Sequence, residues 1–187
     1  MQTESVLDHG PGEHPDLTEP GGDAVIVALY DAHSRALHRY LARRVGQDLA
    51  DDLVAEAFLV MWERRGDYDP RRASARAWLF GIATNLARMH ERTEVRKLRA
   101  WGRELGRGLD VEPPDARAAA AVDAENDVGR YAEALAGLRQ EERDVLLLTA
   151  WADLSPAEIA KVLDLHVTTV RTRLYRARGR LLKRGKP

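Results

Sequence analysis

The chain has 187 residues, 44% of them apolar and only 6% aromatic, with a formal net charge of -1. It contains no cysteine, which excludes disulfides, thiol catalysis and cysteine-ligated zinc or iron–sulfur sites. No basic segment followed by an apolar run marks a signal peptide, and no stretch approaches the roughly 18 consecutive apolar residues of a membrane span. A soluble, cytoplasmic, all-α protein is expected, and the length suits one ordinary domain or two small ones.

The small net charge hides a segregation. Residues 1–23 carry six carboxylates and no Lys or Arg, whereas 24–97 is net +3, 98–129 is net -3 and 130–187 is net +5. The first 23 residues also contain Pro11, Pro15 and Pro20 and show no periodicity. They read as a disordered acidic extension.

From Val25 a helical period sets in, with Ile26, Leu29, Tyr30, His33, Leu37, Tyr40, Leu41 and Val45 at spacings of three and four. Gly46 is a stop. A second amphipathic helix, about 49–65, turns Leu53, Val54, Ala57, Phe58, Met61 and Trp62 inward. Residues 66–74 read as a loop, because Pro70 pushes Asp69 out of the helical region. A third helix, about 75–97, faces its core with Trp78, Leu79, Ile82, Leu86 and Met89. These helices form the expected first domain, 24–97. Residues 98–129 hold Gly102, Gly106, Gly108 and Pro113-Pro114 without an apolar stripe, and read as a flexible linker to a second domain, 130–187.

The second domain ends in a punctuated helix pair. Ser155, Pro156 and Glu158 supply an N-cap, a first-turn proline and the returning carboxylate of a capping box. After the short turn Asp164-Leu165-His166 a long helix runs to about Leu182. Ile159, Leu163, Val167, Val170, Leu174, Ala177 and Leu181 make one stripe across both helices, the build of a helix-turn-helix. At 100° per residue, Thr168, Thr172, Tyr175 and Arg176 fall opposite that stripe, with Thr169, Arg173 and Arg180 on a flank. From His166 onward there are eight Lys or Arg and no carboxylate. Hydroxyls and guanidinium groups on one exposed face suit base edges and phosphates in a major groove. Arg176, Thr172 and Thr169 are the candidates for base reading, and Arg171, Arg178, Lys183 and Arg184 for phosphates. A solvated basic face is the alternative.

The string from Leu154 to Arg178 resembles region 4 of the extracytoplasmic-function (ECF) sigma factors, a branch of the sigma-70 family. Asp51 to Phe58, with Trp62 downstream, is similar to their region 2.2, and Arg76 to Ala87 to their region 2.4. The resemblance spans about 25–97 and 130–182. It implies two small helical domains joined by a tether. It further implies a non-enzymatic subunit without cofactors, metal or small-molecule substrate, which directs RNA polymerase to promoters. Asp51, Asp52, Leu53 and Glu56 would dock on the coiled coil of the polymerase clamp, and Asp52 and Glu56, four apart, share a face. Tyr68, Arg71, Arg72, Ser74 and Arg76, with Asn85, Arg88 and Arg92 on the next helix, would open and read the minus-10 element. His166, Thr168, Thr169, Arg171, Thr172, Arg173, Tyr175, Arg176 and Arg178 would meet the minus-35 groove. Further partners implied are the polymerase flap and an anti-sigma factor, with no membrane. Ala55 stands where the family often has Gln, and His166, Thr168 and Arg139 replace its usual Pro, Gly and Pro.

Two other readings compete. A stand-alone helix-turn-helix regulator would explain 130–187 but leaves the pattern at 49–97 without a purpose. An enzyme finds little support: the six histidines show no metal-binding spacing, and no phosphate loop or nucleophile elbow is present.

Overall fold

The computed structural model describes residues 14–18, 21–106 and 132–184. Most of the acidic extension and of the expected linker lies outside them. Every regular element among the described residues is helical: α1 (Gly22–Val45), α2 (Gln47–Glu63), a 3-10 turn (Arg65–Asp67), α3 (Ala75–Met89), α4 (Glu91–Gly106), α5 (132–136), α6 (Gln140–Trp151), α7 (Pro156–Val162) and α8 (Val167–Arg184).

In the N-terminal unit α1, α2 and α3 pack through the stripes the periodicity marks. Leu29, Leu37, Leu41, Leu53, Ala57, Met61, Leu79 and Phe80 are buried, each large apolar side chain contributing about 1.5–3 kcal/mol. Gly46 ends α1 and opens α2 at φ 103°, a conformation that strains any residue with a Cβ. The acidic segment is not wholly detached, because Leu17 is buried in this core.

Two expectations are corrected. The single helix expected over 75–97 is two helices, α3 capped at His90 and α4 starting at Glu91. Regular structure also runs on to Gly106, past the expected boundary at 97. Trp78, expected in the core, is half-buried and stacks on Tyr68 with ring centroids 5.2 Å apart. Met89, assigned to the core stripe, is exposed.

In the C-terminal unit the cap forms as read. Ser155 Oγ accepts from the Glu158 amide, and the Glu158 carboxylate accepts from the Ser155 amide at 2.8 Å. Ile159, Val170, Leu174 and Ala177 are buried, whereas Leu163, Val167 and Leu181 are half-buried. The two units are not held only by a tether. Their buried residues form one continuous cluster, and α6 and α7 lie against α3.

Gly81 makes that approach possible. A Cβ built there would stand 2.9 Å from Val162 Cβ and 3.3 Å from the Val162 carbonyl oxygen. Above this contact lies an ionic core of side chains with no exposure: Arg44 from α1, Glu94 from α4, and Arg143 and Asp144 from α6. Arg44 donates to Glu94 at 2.8 and 3.2 Å, to Asp144 at 2.6 Å and to the Tyr40 hydroxyl at 2.7 Å. Arg143 Nε stands 3.3 Å from Glu94, and its Nη1 donates to the Leu138 carbonyl. Two cations face two carboxylates, so the burial is electrically balanced. Burial alone would pull the Arg44 pKa down, but Tyr40, Glu94 and Asp144 outweigh it and hold it above its ordinary value.

Candidate nucleic-acid interface

The loop between α2 and α3 is locked by its own polar groups. The Asp69 carboxylate accepts from the Arg71 amide at 2.9 Å and from its guanidinium at 3.2 Å. Those bonds, the amide first, hold its carboxyl below the usual range. Tyr68 donates to the Ala73 carbonyl at 3.1 Å. Burial, and then the neighbouring Asp69 charge, push its phenol from 10.0 up to about 12. Ser74 is the N-cap of α3, its hydroxyl accepting from the Ala77 amide. Of the residues assigned to strand reading here, Arg71 and Arg72 project into solvent, Ser74 and Arg76 are half-buried, and Tyr68 is a buried wall of the loop.

On α3 and α4, Asn85 and Arg92 are exposed, while Arg88 is half-buried. Arg76 and Arg88 both turn to the C-terminal unit. Arg76 donates to the carbonyl of Ala152, the C-cap of α6, where the helix end is partly negative. Arg88 donates to Asp144 at 2.7 Å and to Asn85 at 2.9 Å. Arg72 reaches Asp164 at 3.5 Å, an exposed pair worth little. His33 on α1 is half-buried; burial, then the Arg76 charge, lower its pKa. The pattern of single helices gave no sign of these cross-unit partners.

Helix α8 presents its polar face outward. Thr168, Arg171, Thr172, Tyr175, Arg176 and Arg178 are exposed, Tyr175 to 81%. Thr169 and Arg173 are half-buried on the flank, and His166 is exposed just before the helix. The Thr172 hydroxyl donates to the Thr168 carbonyl, which leaves its oxygen as an acceptor. Arg180, on the same flank, is committed to Glu142 of α6. The side chain of Arg184 lies outside the described ones.

The acidic edge assigned to α2 is accessible. Asp52 and Glu56 are exposed, and Asp51, 78% exposed, pairs with His38 at 3.2 Å. Leu53, grouped with them, is only 1% exposed and belongs to the core. It holds the acidic edge in place but offers no surface to a partner.

Comparison with known proteins accounts for both units. Residues 29–97 match the Sigma-70 region 2 model, and residues 129–181 match the Sigma-70, region 4 model. The ECF RNA polymerase sigma factor SigL of Mycobacterium tuberculosis is 34% identical over 156 residues, covering 82% of this chain and 85% of the relative. The RNA polymerase sigma factor CnrH of Cupriavidus metallidurans is 34% identical over 141 residues, 70% of each chain. The solved structure of CnrH in complex with the cytosolic domain of CnrY superimposes with a TM-score of 0.58 at 27% identity, over 87% of this chain and 88% of that one. A Bartonella quintana sigma factor, RpoE bound to the anti-sigma factor NepR, shares the fold at a TM-score of 0.55 and 21% identity, over 82% of this chain and 92% of that one. Two sigma-70 regions in the expected order, and relatives that match across most of their length, identify the chain as a member of the sigma-70 family, an ECF RNA polymerase sigma factor that directs promoter recognition.

Proposed function

We propose that three surfaces divide the work of initiation. The acidic edge of α2, with Asp51, Asp52 and Glu56, holds the basic coiled coil of the polymerase clamp. The loop 66–74 and α3–α4 capture and read the opened minus-10 strand through Arg71, Arg72, Ser74, Arg76, Asn85, Arg88 and Arg92. Tyr68 supports that loop from beneath. Helix α8 enters the minus-35 major groove, Arg176 reading a guanine edge beside Thr172 and Thr169, with Arg171 and Arg178 on phosphates.

One observation carries this reading. A single chain exposes a carboxylate edge on one unit and an arginine- and threonine-bearing helix face on the other. A subunit that must hold a machine and a duplex at once needs both signs of charge on separate surfaces. No nucleotide is hydrolysed in this scheme. The few kcal/mol lost on unstacking a base must return when it is bound in the loop. The site of action is the cytoplasm, where polymerase and chromosome meet; among the described residues no helix is long and apolar enough to cross a membrane. The solved relatives carry protein inhibitors on this fold, which supports an anti-sigma partner here.

Run-off transcription with purified core polymerase on a promoter library tests the proposal. Specific transcripts that depend on the chain are expected. A chain that shifts promoter duplexes but neither pulls down core polymerase nor starts transcripts is a stand-alone regulator instead.

A further inference from the structure

We infer that the free chain closes on itself: the region 4 unit occupies part of the strand-reading face of region 2 while leaving the minus-35 helix and the clamp-binding edge uncovered. This rests on the assignment of Arg76 and Arg88 to minus-10 reading.

Three kinds of contact converge on that face. The first is a direct use of the readers themselves. Arg76 is spent on the C-cap carbonyl of α6, and Arg88 on the Asp144 carboxylate. A guanidinium cannot hold those groups and a DNA strand in the same orientation. The second is the ionic core. Asp144 is supplied by region 4, yet its two oxygens bond only to region 2 cations, Arg44 and Arg88. Arg143, next along α6, faces Glu94 of α4. Pulling the units apart would expose these four side chains to water, so closure is governed by a few fully desolvated charges rather than by scattered rim pairs. The third is steric. Gly81 meets Val162 where any side chain would clash, so α7 comes as near to α3 as backbone and a valine allow.

The exposure of the other surfaces is what makes the closure selective. Arg176, Thr172 and Tyr175 on α8 point away from region 2, and Asp52 and Glu56 remain on the far edge of α2. The closed chain can therefore meet duplex DNA and the polymerase clamp, but it cannot present Arg76 and Arg88 to an opened strand. Opening is then a step between docking and melting. The population able to melt DNA is set by whatever pulls region 4 away.

A disulfide across the Gly81–Val162 contact tests this in the full chain. Because the chain has no cysteine, Gly81→Cys with Val162→Cys would supply its only thiols. The Cβ separation there is 2.9 Å, and a disulfide asks for about 3.8 Å, a shift two helices can absorb. In the free double variant, mild oxidation should form the intramolecular bond rapidly in buffer and slowly in denaturant. The oxidised chain should bind a minus-35 duplex as the reduced one does, yet fail to retain a minus-10 single strand and give only background transcription with core polymerase. Reductant should restore both. As the opposite perturbation, Asp144→Ala should release the units and raise single-strand binding several-fold. A bond that forms no faster in buffer than in denaturant overturns the closure. Full strand binding by the oxidised chain overturns its inhibitory role. If the reduced chain and the parent both start no transcripts, the minus-10 assignment is at fault, and the rate of bond formation still decides the closure.

Discussion

Replacing Arg44 with methionine probes the ionic core directly. The substitution keeps most of the side-chain bulk and deletes a guanidinium that donates to Glu94 twice, to Asp144 and to Tyr40. Glu94 is then left with Arg143, and Asp144 with Arg88. Both carboxylates remain at zero exposure. Removing one member of a buried charge set costs about 3–5 kcal/mol, because the partner charge stays buried without compensation. For a chain of this size that corresponds to a fall in Tm of about 6–20 °C. Thermal unfolding followed by far-ultraviolet circular dichroism reads the shift. The loss should persist at about 1 M salt, since water and ions do not reach the pair. Adding Asp144→Asn should make the Arg44→Met penalty smaller, by roughly 0.5–3 kcal/mol of coupling. A penalty below about 1 kcal/mol, of the size of an exposed pair, or one that salt abolishes, would refute the argument.

Three further outcomes are expected. Arg176→Ala should weaken minus-35 duplex binding by about 1–3 kcal/mol, roughly 5- to 150-fold. Binding to core polymerase should not change; equal loss of both in pull-down and gel-shift assays would mean that the unit had unfolded. Changing Asp52 and Glu56 together to Lys should abolish holoenzyme formation with an unchanged circular dichroism spectrum, because both side chains are exposed; normal assembly would remove the clamp assignment. His33 has a folded-state pKa below its ordinary value, so the folded chain takes up its proton later than the unfolded one. Its contribution to stability is complete above about pH 6.5 and is lost as the pH falls through that value. Thermal melts between neutral and acidic pH should show a decline that His33→Gln reduces; an identical decline in the variant would place the titration elsewhere.

The helix-turn-helix was legible because its information is local. The Ser155–Glu158 box, the stripe through Val170, Leu174 and Ala177 and the one-signed face of α8 each lie within a few turns of chain. The same holds for the acidic edge of α2. The ionic core was not legible, because Arg44, Glu94, Arg143 and Asp144 are charged residues that periodicity assigns to the surface. Only their partners, 50 and 100 residues away in sequence for Arg44, make their burial tolerable. Gly81 looked like an ordinary helical glycine until Val162 stood against it. The break at His90 carries no proline or glycine, so the pattern runs through it. Leu53 shows how one position can serve two readings: it lies within a motif of surface carboxylates and on the apolar stripe, and burial decided for the stripe.

The single-residue joint at Gly46 has a consequence for assembly. It carries φ 103°, and a Cβ there would press on the Lys97 side chain at 3.0 Å. With no loop between α1 and α2, the pitch of one helix fixes that of the other. A partner that grips the carboxylates of α2 therefore meets a ledge already set in its final posture. Little disorder has to be removed when the two come together, so the attraction between opposite charges is retained almost whole as affinity.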